Sequence, residues 1–238
     1  MNRLWTIPAI VFLLASNPAA IGADQKPLVI ARIVDSPLTN LGMHILKDAY
    51  HRLGIEVEFR LLPGARALKS SNVGVTDGEL FRVGGMSERY PNLIQVPVPV
   101  AHTDFVVFTR LPPFTLSGYS SLQSFSVAFR RGMKIVEQGT AHMERYLVSD
   151  PEQAFRMLDR GRVDIVIENR LTGLKTIRDM GIRNVAVLAP PLHDEPLYHY
   201  LHHSHAALVP KLTAVLEDMY RDGEIQRLKD ETEKALTN

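Results

Sequence analysis

The chain has 238 residues, 45% of them hydrophobic, with 27 Lys and Arg against 26 Asp and Glu and no cysteine. The lack of cysteine excludes a disulfide framework, thiolate metal sites, a cysteine nucleophile and a lipid-modified cysteine. The near balance of charge argues against a nucleic-acid partner, whose phosphates require a basic face.

The first residues read as an export signal. Arg3 gives a positive start, and Leu4 to Ala15 form an apolar stretch interrupted only by Thr6 and Pro8. Ala20, Ile21, Gly22 and Ala23 then offer small residues for cleavage near residue 22 or 23. The stretch falls short of the about 20 apolar residues that a membrane span needs. Residues 1–23 are therefore expected to be a signal peptide, removed on export to the periplasm. They contain one Arg and no acid, so the mature chain keeps 26 basic and 26 acidic residues. Its length of roughly 215 residues suffices for one large or two small domains.

Leu28 to Val34 suits a buried strand, and Leu41, Ile45, Leu46, Ala49, Tyr50 and Leu53 recur at helical spacing until Gly54. Ile55, Val57, Phe59 and Leu61 alternate with polar residues as a half-buried strand does. Pro63 and Gly64 break the chain, a short helix is expected from about Ala65, and Thr76 to Phe81 reads as a strand. Past Pro97 and Pro99, Phe105 to Phe108 forms the next strand, and the chain is expected to pass between lobes near Arg110. The pattern restarts with strand 125–129, helix 151–160, strand 163–167, helix 171–180 and strand 185–188. Asp150 is an N-cap and Pro151 the first helical residue of the 151 helix. Leu197 to Leu201 reads as a return strand, followed by amphipathic helices at about 209–221 and 224–236. The alternation implies an α/β architecture in which ligands sit at the carboxyl ends of the strands, between the lobes.

Three motifs in this order carry a resemblance. Thr76-Asp77-Gly78-Glu79-Leu80-Phe81-Arg82 runs on through Ser87-Glu88-Arg89 to Phe105-Val106-Val107-Phe108. Gly161-Arg162-Val163-Asp164 turns into a strand, and Met219, Asp222, Gly223 and Glu224 join the last two helices. In these segments the chain resembles the family 3 periplasmic solute-binding proteins of amino-acid importers, as a short divergent branch. The resemblance implies the type II periplasmic binding fold, two α/β lobes joined by two hinge strands. Lobe one would comprise residues 24–109 and 199–238, and lobe two residues 110–198. It further implies capture of a small polar, carboxylate-bearing solute, amino-acid-like or an organic acid, by lobe closure, with no cofactor and no catalysis. A membrane permease complex would be the partner of a monomer.

Within that resemblance Arg89 is the counterpart of the arginine that grips the ligand carboxylate, a task suited to a planar guanidinium in a partly dry cleft. Arg66 and Arg82 stand at strand ends as two further anion grips, or brace their loops through Asp77 or Glu79. Asn169 replaces the family's ammonium-binding acid, and Met133 follows Gly132 where a small hydroxyl residue is usual. Half of the amino-acid signature is therefore present. The ligand set implied is Arg89, Arg82, Arg66, Asn169 and Gly132.

Three other readings compete. The closed protein could dock on a membrane sensor receptor instead of a permease. His193, His199, His202, His203 and His205 could hold a metal, although their spacing matches no zinc pattern. A dehydratase on the same fold would need Glu79, Glu168 or His102 as a general acid. No phosphate loop, dinucleotide fingerprint or His-Glu-x-x-His motif is present.

Overall fold

The computed structural model describes residues 26–112 and 114–237. The expected export signal lies outside these residues. Among those described, no helix is long and apolar enough to cross a membrane.

The chain begins with β1 (Leu28–Arg32), α1 (Pro37–Arg52), β2 (Val57–Leu61), α2 (Gly64–Asn72), β3 (Gly78–Arg82) and a single helical turn, α3 (Met86–Arg89). Helix α1 starts a turn earlier than its apolar spacing suggests. The Ser36 side chain accepts a hydrogen bond from the Thr39 amide at 3.2 Å, and Pro37 fills the first turn, where no intrahelical donor is needed. Its Leu41, Ile45, Leu46 and Ala49 are buried against the sheet.

Next comes β4 (Leu93–Thr109), then β5 (Val127–Arg130), α4 (Lys134–Gly139), β6 (Arg145–Val148), α5 (Pro151–Asp159), β7 (Ile165–Asn169), α6 (Arg170–Met180) and β8 (Ala186–Val187). Strand β9 (His193–His202) returns, and α7 (Val209–Arg221) and α8 (Glu224–Thr237) complete the chain. Asp150 caps α5 through the Gln153 amide at 2.9 Å, as its sequence position implies.

A single sheet runs in the order β2-β1-β3-β9-β4-β7-β5-β6, with β8 paired to β4. Strand β1 pairs in parallel with β2 and β3, and β5 pairs in parallel with β6 and β7. These two parallel blocks are joined by the antiparallel pair of β4 and β9, which runs from Leu93 opposite His202 to Phe105 opposite His193. The two ends of that pair belong to different blocks, for β9 pairs with β3 through Tyr198, Tyr200 and Leu201. Meanwhile Phe105–Thr109 of β4 pairs with β7.

The passage between lobes expected near Arg110 therefore comes earlier, because residues 105–109 already belong to the second block. Pro97 and Pro99 stand inside β4, not ahead of it. They do not end the strand: the register shifts between Gln95 and Pro99 and again between Pro99 and Ala101, and the ladder resumes beyond. Irregular pairing of this kind lets a strand carry residues that donate no backbone hydrogen bond.

One core gathers Ile30, Ile45, Leu46, Tyr50, Leu80 and Leu201 with Leu212, Leu216 and Met219 of α7. The second block has a core on each sheet face, one around Phe129, Ile165 and Ile167 and one around Phe108, Phe155 and Val166. Leu171 of α6 packs into the first core, so this helix touches both blocks.

Gly78 marks the tightest backbone approach between β3 and β9, where an added Cβ would lie 2.3 Å from the Tyr200 carbonyl oxygen. Gly78→Ala must part these strands. It should lower the unfolding free energy by about 1–3 kcal/mol, the usual cost of overpacking, in a urea titration followed by circular dichroism.

Candidate functional site: the cleft between the two lobes

A cleft of ≈ 590 Å³ opens between the two blocks. One wall is the loop after β1 and the start of α1, with Val34, Asp35, Ser36 and Leu38. Thr103 and Phe105 of β4 form the back, and the far wall comes from Arg130 to Lys134 after β5, Pro151 of α5, and Asn169 and Thr172 at the start of α6. This placement follows from the parallel strands, whose carboxyl ends and following helix N-termini face one side.

The charge along these walls is mostly positive. Arg131 is exposed, and Lys134 is exposed beside Glu137 at 3.3 Å. Arg130 is committed instead, its Nε and Nη2 donating to the buried Glu168 carboxylate at 2.6 and 2.8 Å. Those bonds raise its pKa, against the opposing effect of burial. Asp35 is the one acid of the lining, and it pairs with Arg32. The N-termini of α1, α5 and α6 open onto the same space and add partial positive charge.

Of the residues singled out from sequence, Gly132 and Asn169 line the cleft. The Asn169 side chain is already occupied, because its oxygen accepts from the Thr172 amide at 3.2 Å and its nitrogen donates to Asp104. Asp104 in turn holds Arg170 at 2.9 Å. Arg82 stands outside the lining, with Nη2 2.9 Å from buried Glu79 and within 3.4 Å of the Gly64 carbonyl, which is the loop-bracing arrangement. Arg66 and Arg89 are exposed and also outside it, Arg89 lying 5.9 Å over the Tyr90 ring. Sequence reasoning passed over Ser36, Arg130, Arg131 and Lys134, although the cap pattern Ser36-Pro37 and the cations flanking Gly132 were there to be read.

The histidines disperse. His193 stacks on Phe105, His199 is buried in lobe one, and His202, His203 and His205 sit at the end of β9 and the turn after it. Among the described residues no three His, Asp or Glu side chains are grouped to hold a metal. The proton donors a dehydratase would need stand apart as well: Glu168 is tied to Arg130, Glu79 to Arg82, and His102 to Asp194 at 3.1 Å.

No family profile matches the chain. An uncharacterized protein of Shewanella oneidensis is 26% identical over 235 residues, covering 94% of this chain and 89% of its own. Among solved structures, an ancestral cationic amino acid solute binding protein superposes with a TM-score of 0.70 at 16% identity, over 86% of this chain and 94% of that one. The chain has the fold of the two-lobed periplasmic binding proteins. A histidine kinase sensor domain with similarity to periplasmic binding proteins also matches, with a TM-score of 0.62 at 18% identity, over 87% of this chain and 95% of the other. In this periplasmic-binding-protein fold β4 and β9 are the two hinge strands.

Lobe one hides a polar chain beneath the hinge. His199 Nδ1 lies 2.6 Å from the Glu79 carbonyl oxygen, which only accepts, so Nδ1 carries the proton and Nε2 accepts from the Tyr50 hydroxyl at 2.8 Å. Burial pushes the His199 pKa down to about 4. Burial also pushes the Glu79 carboxyl up to about 7, outweighing the Arg82 charge. The two groups act oppositely on stability. Folding favours protonated Glu79, a contribution present at low pH and lost as pH rises through about 7. It favours neutral His199, a contribution present above the ordinary imidazole value of 6.5 and lost as pH falls toward about 4. The stability advantage of the native protein over His199→Gln should therefore shrink as pH falls from 6.5 to 4, with Glu79→Gln showing the reverse trend. Urea unfolding at a series of pH values measures both.

Proposed function

We propose that this is an exported, monomeric solute-binding protein that captures a small carboxylate-bearing solute, amino-acid-like or an organic acid, in the interlobe cleft by lobe closure. Delivery to a membrane permease of an importer completes the reading, with the periplasm as its location and no catalytic step. Lobe one runs to the β4 hinge segment at about residue 104 and resumes in β9, and lobe two lies between.

The observation that carries this reading is the cleft's charge. Arg131 and Lys134 face a space whose single acid is already paired, and three helix N-termini open onto it. A guanidinium and aligned backbone amides suit a carboxylate, which they meet with charge-assisted hydrogen bonds. Ligand contacts to both walls are stronger in the closed state, and that difference drives closure.

The solute-binding structure among the similar folds agrees with this reading, and the sensor-domain structure favours a second, in which the closed form docks on a receptor and reports the solute. Both use the same cleft chemistry.

The test is a thermal-shift screen of residues 24–238 against amino acids, dicarboxylates, other organic acids, amines and divalent metals, followed by calorimetry. A carboxylate solute is expected to raise the melting temperature, as a ligand specific for the folded state must. Arg131→Ala should then weaken it by about tenfold, the loss of one charged hydrogen bond. Arg89→Ala, outside the lining, should change affinity by less than about twofold. Stabilisation by amines or metals alone would contradict the reading.

A further inference from the structure

Lobe two carries a second cationic feature. Arg156 and Arg160 of the α5 segment and Arg162 after it surround a depression of ≈ 180 Å³ whose walls also include Val148, Met157 and Gln153. Helix α5 buries Ala154, Phe155 and Leu158, which leaves Arg156 and Arg160 one turn apart on its exposed side. The hydrogen bonds of the neighbouring acids go elsewhere, while the Arg156 charge also acts on Asp150. Asp159 holds Arg110 at 2.9 Å, and Asp150 caps the helix and accepts from Ser149 at 2.6 Å. Among the described residues Glu152, one turn before Arg156, forms no ion pair with it. Cations near a helix C-terminus offset its dipole, which accounts for one arginine. Like charges four residues apart repel, however, and three guanidiniums around one hollow are not explained by that effect.

We propose that this arginine-rimmed depression is a docking site for an acidic segment of a protein partner, separate from the solute cleft. Guanidinium forks match carboxylates in paired hydrogen bonds, and Val148 with the Met157 thioether offers apolar surface for the methylene stem of a glutamate. The volume suits one such side chain, whereas an anionic membrane surface would be met by a broad, flat cationic face. The mature chain as a whole, these arginines included, is balanced in charge, so the cluster is a local feature. Arg156 and Arg160 lie about 7 and 13 Å along the α5 axis from Pro151 at the cleft, given the rise per helical residue, on walls that begin at Gln153. The depression therefore moves with lobe two, and a docked partner would sense closure.

The probe is fluorescein-labelled hexaglutamate titrated into residues 24–238, with hexalysine and with vesicles of phosphatidylglycerol and phosphatidylcholine in parallel. Hexaglutamate alone is expected to bind. Its affinity should fall by at least about tenfold in Arg156→Ser/Arg160→Ser/Arg162→Ser and fall steeply with added salt. Arg160→Ser alone should show an intermediate loss. Because all three side chains are exposed, the triple variant should keep its melting temperature and its response to the cleft solute. Arg131→Ala, with the cleft impaired, should keep hexaglutamate binding, so failure of the solute reading and failure of this one are distinguishable. No hexaglutamate binding, or equal binding by the triple variant, overturns the proposal. Arginine-dependent binding to vesicles without binding to the peptide also overturns it and assigns the site to lipid.

Discussion

The antiparallel pairing of β4 with β9 is the constraint on which the other features depend. Each strand is shared, so that β9 completes the lobe-one sheet beside β3 while β4 completes the lobe-two sheet beside β7. Two parallel blocks that would otherwise be separate are thereby held in one sheet, with their strand carboxyl ends facing each other across the cleft. Register shifts around Pro99 lie opposite Tyr198–Tyr200, inside the lobe-one block, and the stretch that crosses between the blocks, from Ala101 opposite Leu197 to Phe105 opposite His193, is regularly paired. Helix α6 spans the same junction, presenting Asn169 to the cleft at its N-cap while Leu171 is buried in the lobe-one core.

The cleft chemistry follows from that geometry. Lobe two brings Arg130 and Arg131 to the end of β5, but the two adjacent arginines have different tasks. Arg130 neutralises Glu168, a buried carboxylate that would be costly to leave unpaired. Arg131 has no such duty among the described residues and remains exposed at the cleft. Lobe one divides its polar groups in the same way. Glu79, Arg82 and His199 are consumed inside or beside the core, whereas Ser36 and the first turn of α1 face the opening. Polar groups that hold the fold are thus kept apart from those available to a ligand.

The alternating strands and helices were legible in sequence because their apolar periodicity is strong: the α5 cap at Asp150, the helices α7 and α8 and the strands of both blocks lie close to their expected positions. The long β4 was not legible, since Pro97 and Pro99 read as breakers and only the pairing partner, distant in sequence, shows how the strand accommodates them. The short β6 and α4 likewise carry too few residues for a period to show. The site was legible in part. Gly132 and Asn169 are at the cleft, but no spacing rule reveals that the Asn169 oxygen is spent on a helix cap or that Arg82 is spent on Glu79. Such commitments depend on side-chain directions set by tertiary packing.

In the proposed function a solute draws the lobes together about the β4–β9 hinge. The chain has no cysteine, so Asn40→Cys on α1 and Glu152→Cys on α5, both at exposed positions, would carry the only two spin labels. Double electron–electron resonance would then report the distance across the cleft. Addition of the carboxylate that stabilises the protein should shorten and narrow the distance distribution, and Arg131→Ala should require more solute for the same change. A distribution that stays the same when calorimetry shows the solute bound would contradict closure and, with it, the account of the cleft as a clasp.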